Sequence, residues 1–220
     1  MNRLQKIIPK YAVVPALLYL LCIPSYFLVR LITGGMEHLH VVSTIDDLVP
    51  FVPAFIWIYV LAYFQWLFGH LAIAHYDERL FKQHMGAEII GKLTCVLIFI
   101  LLPTTIARPE VTESGLTYDL VRFIYAADNP PDNLFPSIHC MESWIVTCGL
   151  FKTNAPKPLK MFMLTFTGLV FASVVLVKQH FIIDIPAGIF VASIAILLSD
   201  KLHFSAIYDS IEKIIFRRES

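Results

Sequence analysis

Charged side chains are absent from several long stretches of the chain. Residues 11–29 and 48–74 contain none, and the uncharged runs 93–107, 161–177 and 185–199 are shorter. A transmembrane helix needs about 20 consecutive apolar residues, although a shorter run can span where its polar ends face protein or water. The pattern predicts an all-α membrane protein with six transmembrane helices. We place these spans at approximately 11–31, 49–73, 89–107, 138–152, 160–177 and 183–200.

The composition also favours a membrane protein. Apolar residues make up 57% of the 220 residues, charged residues make up 15%, and the mean hydropathy is +0.70. A water-soluble domain carries about 25% charged and about 45–50% apolar residues. The 17 Lys and Arg residues balance the 17 Asp and Glu residues, so no basic field is present to bind nucleic acid. We therefore treat 1–220 as a single integral membrane domain.

The basic residues outside the predicted spans are unevenly distributed. Most lie in the N-terminal segment, in the loops after spans 2 and 4, and in the C-terminal tail, which share one side of the membrane. The positive-inside rule makes this side cytoplasmic. The sequence thus predicts a multi-pass protein of the cell membrane with both termini in the cytoplasm. Residues 201–220 mix apolar and charged positions as amphipathic helices do, and we expect a cytoplasmic tail on the membrane surface.

Three polar motifs lie at span ends that this topology places on the extracytoplasmic side. Arg108 follows span 3, Ser137 and His139 open span 4, and His180 and Asp184 lie at the start of span 6. The motifs are far apart along the chain. Their convergence on one side of the membrane therefore indicates a functional site.

His180 and Asp184 have the spacing that places two side chains on one face of a helix. A carboxylate bonded to one imidazole nitrogen leaves the other nitrogen free to act as a nucleophile. If span 6 begins near residue 183, because of Pro186, His180 precedes the helix and this argument weakens. The alternative is that Asp184 caps span 6 beside a solvated histidine.

Ser137 stands between Pro136 and an apolar run, a position typical of a helix N-cap. A helix N-terminus favours phosphate, and His139 in the first turn is placed to protonate a leaving oxygen. The alternative is an ordinary cap beside an interfacial histidine. Glu142, one turn after His139, either shifts the pKa of that histidine or pairs with another helix.

Arg108 and Lys178 are candidate phosphate-binding cations on the same side. A guanidinium suits bidentate phosphate contact, but both side chains also suit anchoring in the membrane interface. His70, His75 and Asp77 resemble a metal-binding set but lie near the opposite face. We expect no metal and no cofactor.

Three motifs in this order across six spans resemble the type 2 phosphatidic acid phosphatase (PAP2) superfamily. They are Arg108-Pro109, Pro136-Ser-x-His139 and His180-x-x-x-Asp184. The resemblance covers roughly the second half of the chain. It implies a PAP2-like helical bundle that acts on a lipid phosphate.

The resemblance also implies a role for each motif residue. His180 would be the nucleophile that takes the phosphoryl group, and Asp184 would orient it. His139 would be the acid for the leaving group and later the base for water. Arg108 and Ser137 would hold the phosphate oxygens, and this chemistry needs no metal.

The chain departs from the family pattern at three positions. Leu101 and Val174 stand where the family has a lysine and an arginine, and Ile138 replaces a glycine. Lys178 is predicted to supply the missing cation next to His180. The motifs Phe-Pro-Ser-x-His and Lys-Gln-His-Phe-x-x-Asp are similar to the branch that includes inositol phosphorylceramide and sphingomyelin synthases. Those enzymes transfer a phosphorylated head group to an alcohol.

We therefore predict a metal-independent lipid phosphatase that works through a phosphohistidine. Its substrate would be a lipid phosphate monoester or pyrophosphate, of the phosphatidic acid or polyprenyl pyrophosphate type. The alternative is a lipid head-group phosphotransferase of the inositol phosphorylceramide or sphingomyelin synthase type. A transporter is less favoured, because the predicted spans carry few ionisable residues and no inverted repeat.

Overall fold

The computed structural model describes residues 10–215, and this part of the chain is helical. It contains no β-strand, only two isolated bridges between loops. The all-α prediction is confirmed. The helices are α1 (Val13–Cys22), α2 (Ser25–Leu28), α3 (Arg30–Thr33), α4 (Thr44–Leu48), α5 (Ile56–Tyr76), α6 (Glu78–Leu101), α7 (Leu116–Ala127), α8 (Ile138–Lys152), α9 (Lys157–Leu176), α10 (Asp184–Lys201) and α11 (Phe204–Ile215).

Four helical segments are long and apolar enough to cross a membrane. They are Lys10–Thr33, Pro53–Tyr76, Glu78–Leu101 and Lys157–Leu176. Helices α10 and α11 are bent by 61° relative to each other, and they form a fifth candidate span if the pair is counted as one segment. The molecule is therefore a helical membrane protein with four or five candidate spans, where the sequence predicts six.

Helix α8, predicted as the fourth span, is 15 residues long and lies inside the bundle. It packs against α5, α6, α9 and α10. Its buried positions include His139, Glu142, Ser143 and Thr147. Because these side chains face protein, the helix tolerates polar residues that lipid would not.

Helix α6 has different bounds from the predicted third span, 89–107. It begins at Glu78 because the side chain of Asp77 caps it, accepting a 2.8 Å hydrogen bond from the Leu80 N–H. It ends at Leu101, shortly before Pro103, which cannot continue a helix. Residues that appear as a charged loop in the sequence are therefore the first turns of a buried helix.

The tail predicted at 201–220 contains α11, which packs on α6 and α1. Tyr208 is buried in this contact, while Ile207 and Ile214 are exposed. The buried ammonium group of Lys82 on α6 holds Asp209 at 2.6 Å and Glu212 at 3.0 Å. Residues 216–220 lie outside the described residues, and so do Arg3 and Lys6, two basic residues of the N-terminal segment that contribute to the predicted orientation.

Helix α10 approaches α8 closely at the end of the bundle where both helices begin. A Cβ atom added at Gly188 would lie 2.6 Å from the carbonyl oxygen of Ser137 and 3.1 Å from the Cβ atom of Cys140. Small residues allow helices to approach in this way, and Ala192 and Ala195 continue the buried face of α10. This contact brings the first turns of α8 and α10 together.

Candidate active site

His180 and Asp184 are hydrogen-bonded, with 3.0 Å between the His180 Nδ1 atom and the Asp184 Oδ2 atom. Both residues are buried. The same carboxylate oxygen accepts a 3.0 Å hydrogen bond from the Phe181 N–H. Asp184 is the first residue of α10, so His180 precedes the helix. The pair is therefore formed across a turn and not along a helix face.

The turn that carries His180 is built from the end of α9. The N–H groups of Gln179 and His180 both donate to the carbonyl oxygen of Val174, at 3.0 Å each. Lys178 has a φ of 52°, a left-handed conformation that costs a non-glycine residue about 1–2 kcal/mol. A turn with these bonds reverses the chain and directs His180 back to the bundle.

His139 lies at the N-terminus of α8, opposite His180. The Ser137 Oγ atom accepts a 3.3 Å hydrogen bond from the Cys140 N–H, as an N-cap does. The Ser137 N–H donates to the carbonyl oxygen of Asp184 at 3.3 Å. The ring centroids of His139 and His180 are 6.4 Å apart. The two histidines thus meet although they are 41 residues apart in the numbering.

Aromatic side chains of α5 hold the His139 ring. It stacks on Tyr59 with 4.1 Å between ring centroids, and it contacts Trp66 at 5.0 Å and Tyr63 at 5.4 Å. This packing fixes the plane of the imidazole. A fixed ring presents its nitrogens in one direction, as acid–base catalysis requires.

Arg108 reaches the same region and is held by protein groups. Its Nη2 atom is 2.6 Å from Asp128 Oδ2 and 2.5 Å from Gln179 Oε1. Its Nη1 atom donates to the carbonyl oxygens of Asp128 at 3.0 Å and Tyr125 at 3.3 Å. The Nε–H is buried and has no partner among the residues that the structure describes. A phosphate oxygen at this nitrogen would meet a pre-oriented guanidinium.

Lys178 is bonded to α4 and to the residue that follows this helix. Its ammonium group donates to the carbonyl oxygens of Val49 at 2.6 Å and Asp46 at 3.3 Å. An ammonium group has three N–H donors, so one remains. Lys178, Arg108 and His180 line one cavity of about 470 Å³.

A second cavity, of about 310 Å³, lies on the other side of His180. His139, His180, Gln179 and Glu142 contribute to its wall. The rest is largely aromatic, from Tyr19, Tyr26, Phe27, Tyr59, Tyr63 and Trp66. His180 therefore lines two cavities. One also contains the cations Arg108 and Lys178, and the other is largely aromatic.

Two buried nitrogen atoms on this second cavity have no partner within residues 10–215. They are the Nε2 atom of His139 and the amide nitrogen of Gln179. Buried polar atoms without partners are rare and indicate a missing ligand or water. Together with the Arg108 Nε–H they suit an anion beside His180. Gln179 was not predicted, and its position directly before His180 was the one available signal.

Glu142 forms no hydrogen bond or ion pair with His139. Its carboxylate pairs with the ammonium group of Lys92 on α6 and accepts a 3.0 Å hydrogen bond from Tyr19. Of the two interpretations left open by the sequence, pairing with another helix is the one the structure supports. The pair closes the inner end of the aromatic cavity.

Comparison with known proteins shows the family of this chain. Residues 33–198 match a family model described as the PAP2 superfamily. The chain belongs to the PAP2 superfamily. No curated protein and no solved structure matches it.

Membership of the PAP2 superfamily makes this chain a phosphatase-type or related lipid-modifying membrane enzyme. The match covers all three motifs and extends upstream to the aromatic residues of α5. It does not distinguish the inositol phosphorylceramide synthase-like branch from the rest of the superfamily.

Asp46, a residue that the sequence did not single out, clamps the turn that carries the nucleophile candidate. One carboxylate oxygen accepts hydrogen bonds from the Ser43 Oγ atom at 2.6 Å and the Ser43 N–H at 2.8 Å, in a capping box. The other accepts from the Ile182 N–H at 2.7 Å. The Ser-x-x-Asp spacing was the available signal for the cap, but nothing local pointed to residue 182.

We expect Asp46→Asn to weaken this clamp in a pH-dependent way. Burial of the Asp46 carboxyl raises its pKa, but hydrogen bonds from Ser43 and Ile182 outweigh burial, so the pKa lies below its ordinary value. A lowered pKa means that the carboxylate stabilises the fold above about pH 4, and that this contribution is lost as the pH falls through the folded-state pKa. The variant should lose about 1–2 kcal/mol at pH 7 and less at pH 3.

Thermal unfolding of the detergent-solubilised protein between pH 7 and pH 3 measures this effect. Asp47→Asn is the matched control, because Asp47 is exposed on the same helix. An Asp46→Asn variant with the same acid dependence as the wild type would contradict the assigned role.

We expect Gly188→Ala to separate α8 from α10 and reduce activity. The new Cβ atom would lie 2.6 Å from a backbone oxygen, so the helices must move apart. Overpacking costs about 1–3 kcal/mol, and a displacement of about 1 Å between catalytic groups can reduce a rate about 100-fold. Gly168→Ala on α9 is the control, because a Cβ atom there meets no atom of residues 10–215 within 4 Å. Equal activity of the two variants would show that the α8–α10 contact does not position the site.

Proposed function

We propose that this PAP2 superfamily member is a lipid phosphatase that hydrolyses a phosphate monoester or pyrophosphate through a phosphorylated His180. The observation that carries the proposal is the pairing of His180 with Asp184 opposite His139. One imidazole nitrogen is bonded to a carboxylate, and the other is free. This is the arrangement that a nucleophilic histidine requires.

The first step transfers the phosphoryl group to the enzyme. The free Nε2 atom of His180 attacks phosphorus, and the bond between phosphorus and the lipid oxygen breaks. His139 donates a proton to that oxygen as it leaves. Asp184 holds the Nδ1–H and stabilises the positive charge that develops on the ring.

The second step releases phosphate. His139, now neutral, takes a proton from water, and the resulting nucleophile attacks phosphorus. The bond between phosphorus and Nε2 breaks, and His180 returns to its neutral form. Arg108, Ser137 and Lys178 would hold the phosphate oxygens in both steps, with the N-terminus of α8. No metal takes part.

A second candidate is transfer of a phosphorylated head group from one lipid to the hydroxyl group of another. The two cavities that meet at His180 favour it, because a donor and an acceptor can then approach from different sides. In both functions the site would face the extracytoplasmic side of the cell membrane, with both termini in the cytoplasm.

Phosphate release by the purified protein with EDTA present tests the proposal. The substrates are phosphatidic acid, lysophosphatidic acid, phosphatidylglycerol phosphate and undecaprenyl pyrophosphate. We expect release by the wild type and by His75→Ala, an exposed histidine at the other end of α5, but not by His180→Ala. Activity retained in His180→Ala would exclude this nucleophile. Absence of release from every substrate would favour the transferase, to be tested with a phospholipid donor and a lipid alcohol.

The pH dependence of the rate is a further expected result. His180 must be neutral to attack, and His139 must be protonated to donate. The rate should therefore rise and then fall with pH in a bell-shaped profile, measured as kcat/KM on phosphatidic acid. A rate that rises without a maximum from about pH 4 to about pH 10 would contradict the two histidine roles.

A further inference from the structure

A second cluster of histidines lies away from the candidate active site. His70 on α5 faces His84 on α6, with 2.8 Å between His70 Nδ1 and His84 Nε2. The Glu88 Oε1 atom is 3.7 Å from the same His84 nitrogen. One nitrogen from each histidine and one carboxylate oxygen all lie within 4.8 Å of one another. Three ligating atoms therefore converge on one point between two helices.

Glu88 lacks the partners that a buried carboxylate needs. Its exposure is 0%, and neither oxygen accepts a hydrogen bond from any residue between 10 and 215. The nearest lysine along α6, Lys92, is paired with Glu142. Glu88 has no such partner, so its carboxylate form would carry an unbalanced negative charge. A buried charge is tolerated when it is paired or coordinates a metal.

We propose that His70, His84 and Glu88 bind a divalent transition-metal ion, with Zn²⁺ as the best match. Two imidazole nitrogens and one carboxylate oxygen form a ligand set typical of zinc. The positive ion would balance the charge of Glu88 and satisfy its oxygens. This site is separate from the proposed phosphatase chemistry, which uses no metal.

The distances suit an ion after a small movement. With Zn–N bonds of about 2.0–2.1 Å, two nitrogens of a tetrahedral site lie about 3.3 Å apart. The present 2.8 Å separation is that of a hydrogen bond, so the rings need to separate by about 0.5 Å. Both ring nitrogens would then be unprotonated, and a water molecule or the second oxygen of Glu88 completes the four ligands.

A small cavity beside His84 offers a path for the ion. Its volume is about 20 Å³, enough for one water molecule or ion. Lys152 and Asp200, an exposed ion pair, line it with Gly149. This places the opening at the end of the bundle opposite His180.

The position suggests a stabilising ion. His84, Glu88 and Lys92 follow one another at four-residue spacing on α6, and Lys92 pairs with Glu142, one turn from His139. A metal at His70 and His84 would join α5 to α6 behind the aromatic cavity. We expect bound Zn²⁺ to raise the melting temperature and to leave the chemistry at His180 unchanged.

Titration of the metal-stripped, detergent-purified full chain with Co²⁺ tests the proposal. Cobalt in a tetrahedral site gives a visible absorption band that reports binding at these ligands directly. The variants are His70→Gln and Glu88→Gln. The control is His75→Gln, which alters an exposed histidine on the same helix as His70. Glu88→Gln removes a buried charge and is therefore expected to fold.

We expect one equivalent of Co²⁺ in the wild type and in His75→Gln, displaced by Zn²⁺, with a rise in melting temperature. Affinity should fall at least about 10-fold in each ligand variant. Absence of saturable binding by the wild type would overturn the proposal and leave a hydrogen-bonded histidine pair beside a protonated Glu88. Undiminished binding in both ligand variants would overturn it as well. The proposed phosphatase function is tested separately, by phosphate release and its loss in His180→Ala. Its failure is therefore distinguishable from a failure of metal binding at His70, His84 and Glu88.

Discussion

His139→Ala should slow phosphate release from phosphatidic acid by about 10²–10⁴-fold, the usual contribution of a general acid–base group. With p-nitrophenyl phosphate, the same variant should retain far more of the wild-type rate of the first step, because nitrophenolate leaves without a proton. Its second step still lacks the base that activates water. A burst of about one nitrophenolate per enzyme should therefore precede slow turnover. Rapid mixing with detection of nitrophenolate measures both phases.

The His139→Ala experiment needs a control for packing, because the ring stacks on Tyr59 and contacts Trp66. His139→Gln fills part of the space, and the melting temperatures of both variants show whether α8 remains docked. Equal losses on the two substrates in a well-folded variant would show that His139 does not protonate the leaving group. The phosphatase would then need another acid.

Asp184→Asn should reduce kcat by about 10²–10⁴-fold and change KM little. The amide has nearly the same shape as the carboxylate but no charge, so it stabilises neither the correct histidine tautomer nor the developing positive ring. The Phe181 N–H keeps an acceptor, so the turn is expected to fold. Steady-state rates on phosphatidic acid across pH measure the effect.

Asp200→Asn is the matched control for this variant. It makes the same change on the same helix, at the end remote from His180, where Asp200 forms an exposed ion pair with Lys152. Exposed pairs of this kind contribute about 0–1 kcal/mol, so activity should be nearly unchanged. If Asp184→Asn raised KM and left kcat intact, Asp184 would be a helix cap and His180 would need no carboxylate.

The two histidine motifs and the family could be predicted from the sequence because each motif is local. Pro136, Ser137 and His139 define a helix start by residue type alone, and Ser137 does cap α8. The His180–Asp184 contact was also expected, but for a partly different reason. Helix α10 begins at Asp184, so the contact depends on the turn held by Val174.

The span bounds were harder to predict because hydropathy measures apolar content and not burial. The polar first turns of α6 look like a loop, yet Lys82 is buried by Asp209 and Glu212 of a helix more than 120 residues away. Likewise the interior of α6 contains Glu88 and Lys92, which the predicted span did not include as central residues. Lys82 and Lys92 are stable inside the bundle because the fold brings carboxylates to them.

The sequence by itself determined that this chain is helical and membrane-embedded, and which histidines are candidates for phosphoryl chemistry. These properties follow from local patterns of apolar residues and from short motifs. The tertiary structure decided which groups surround those histidines. Gln179 and Asp128 hold Arg108, and Asp46 holds the turn that carries His180. It also brought His70 to His84 and Glu88. Such contacts join residues far apart in the chain, and no local spacing encodes them, because they depend on how the helices pack.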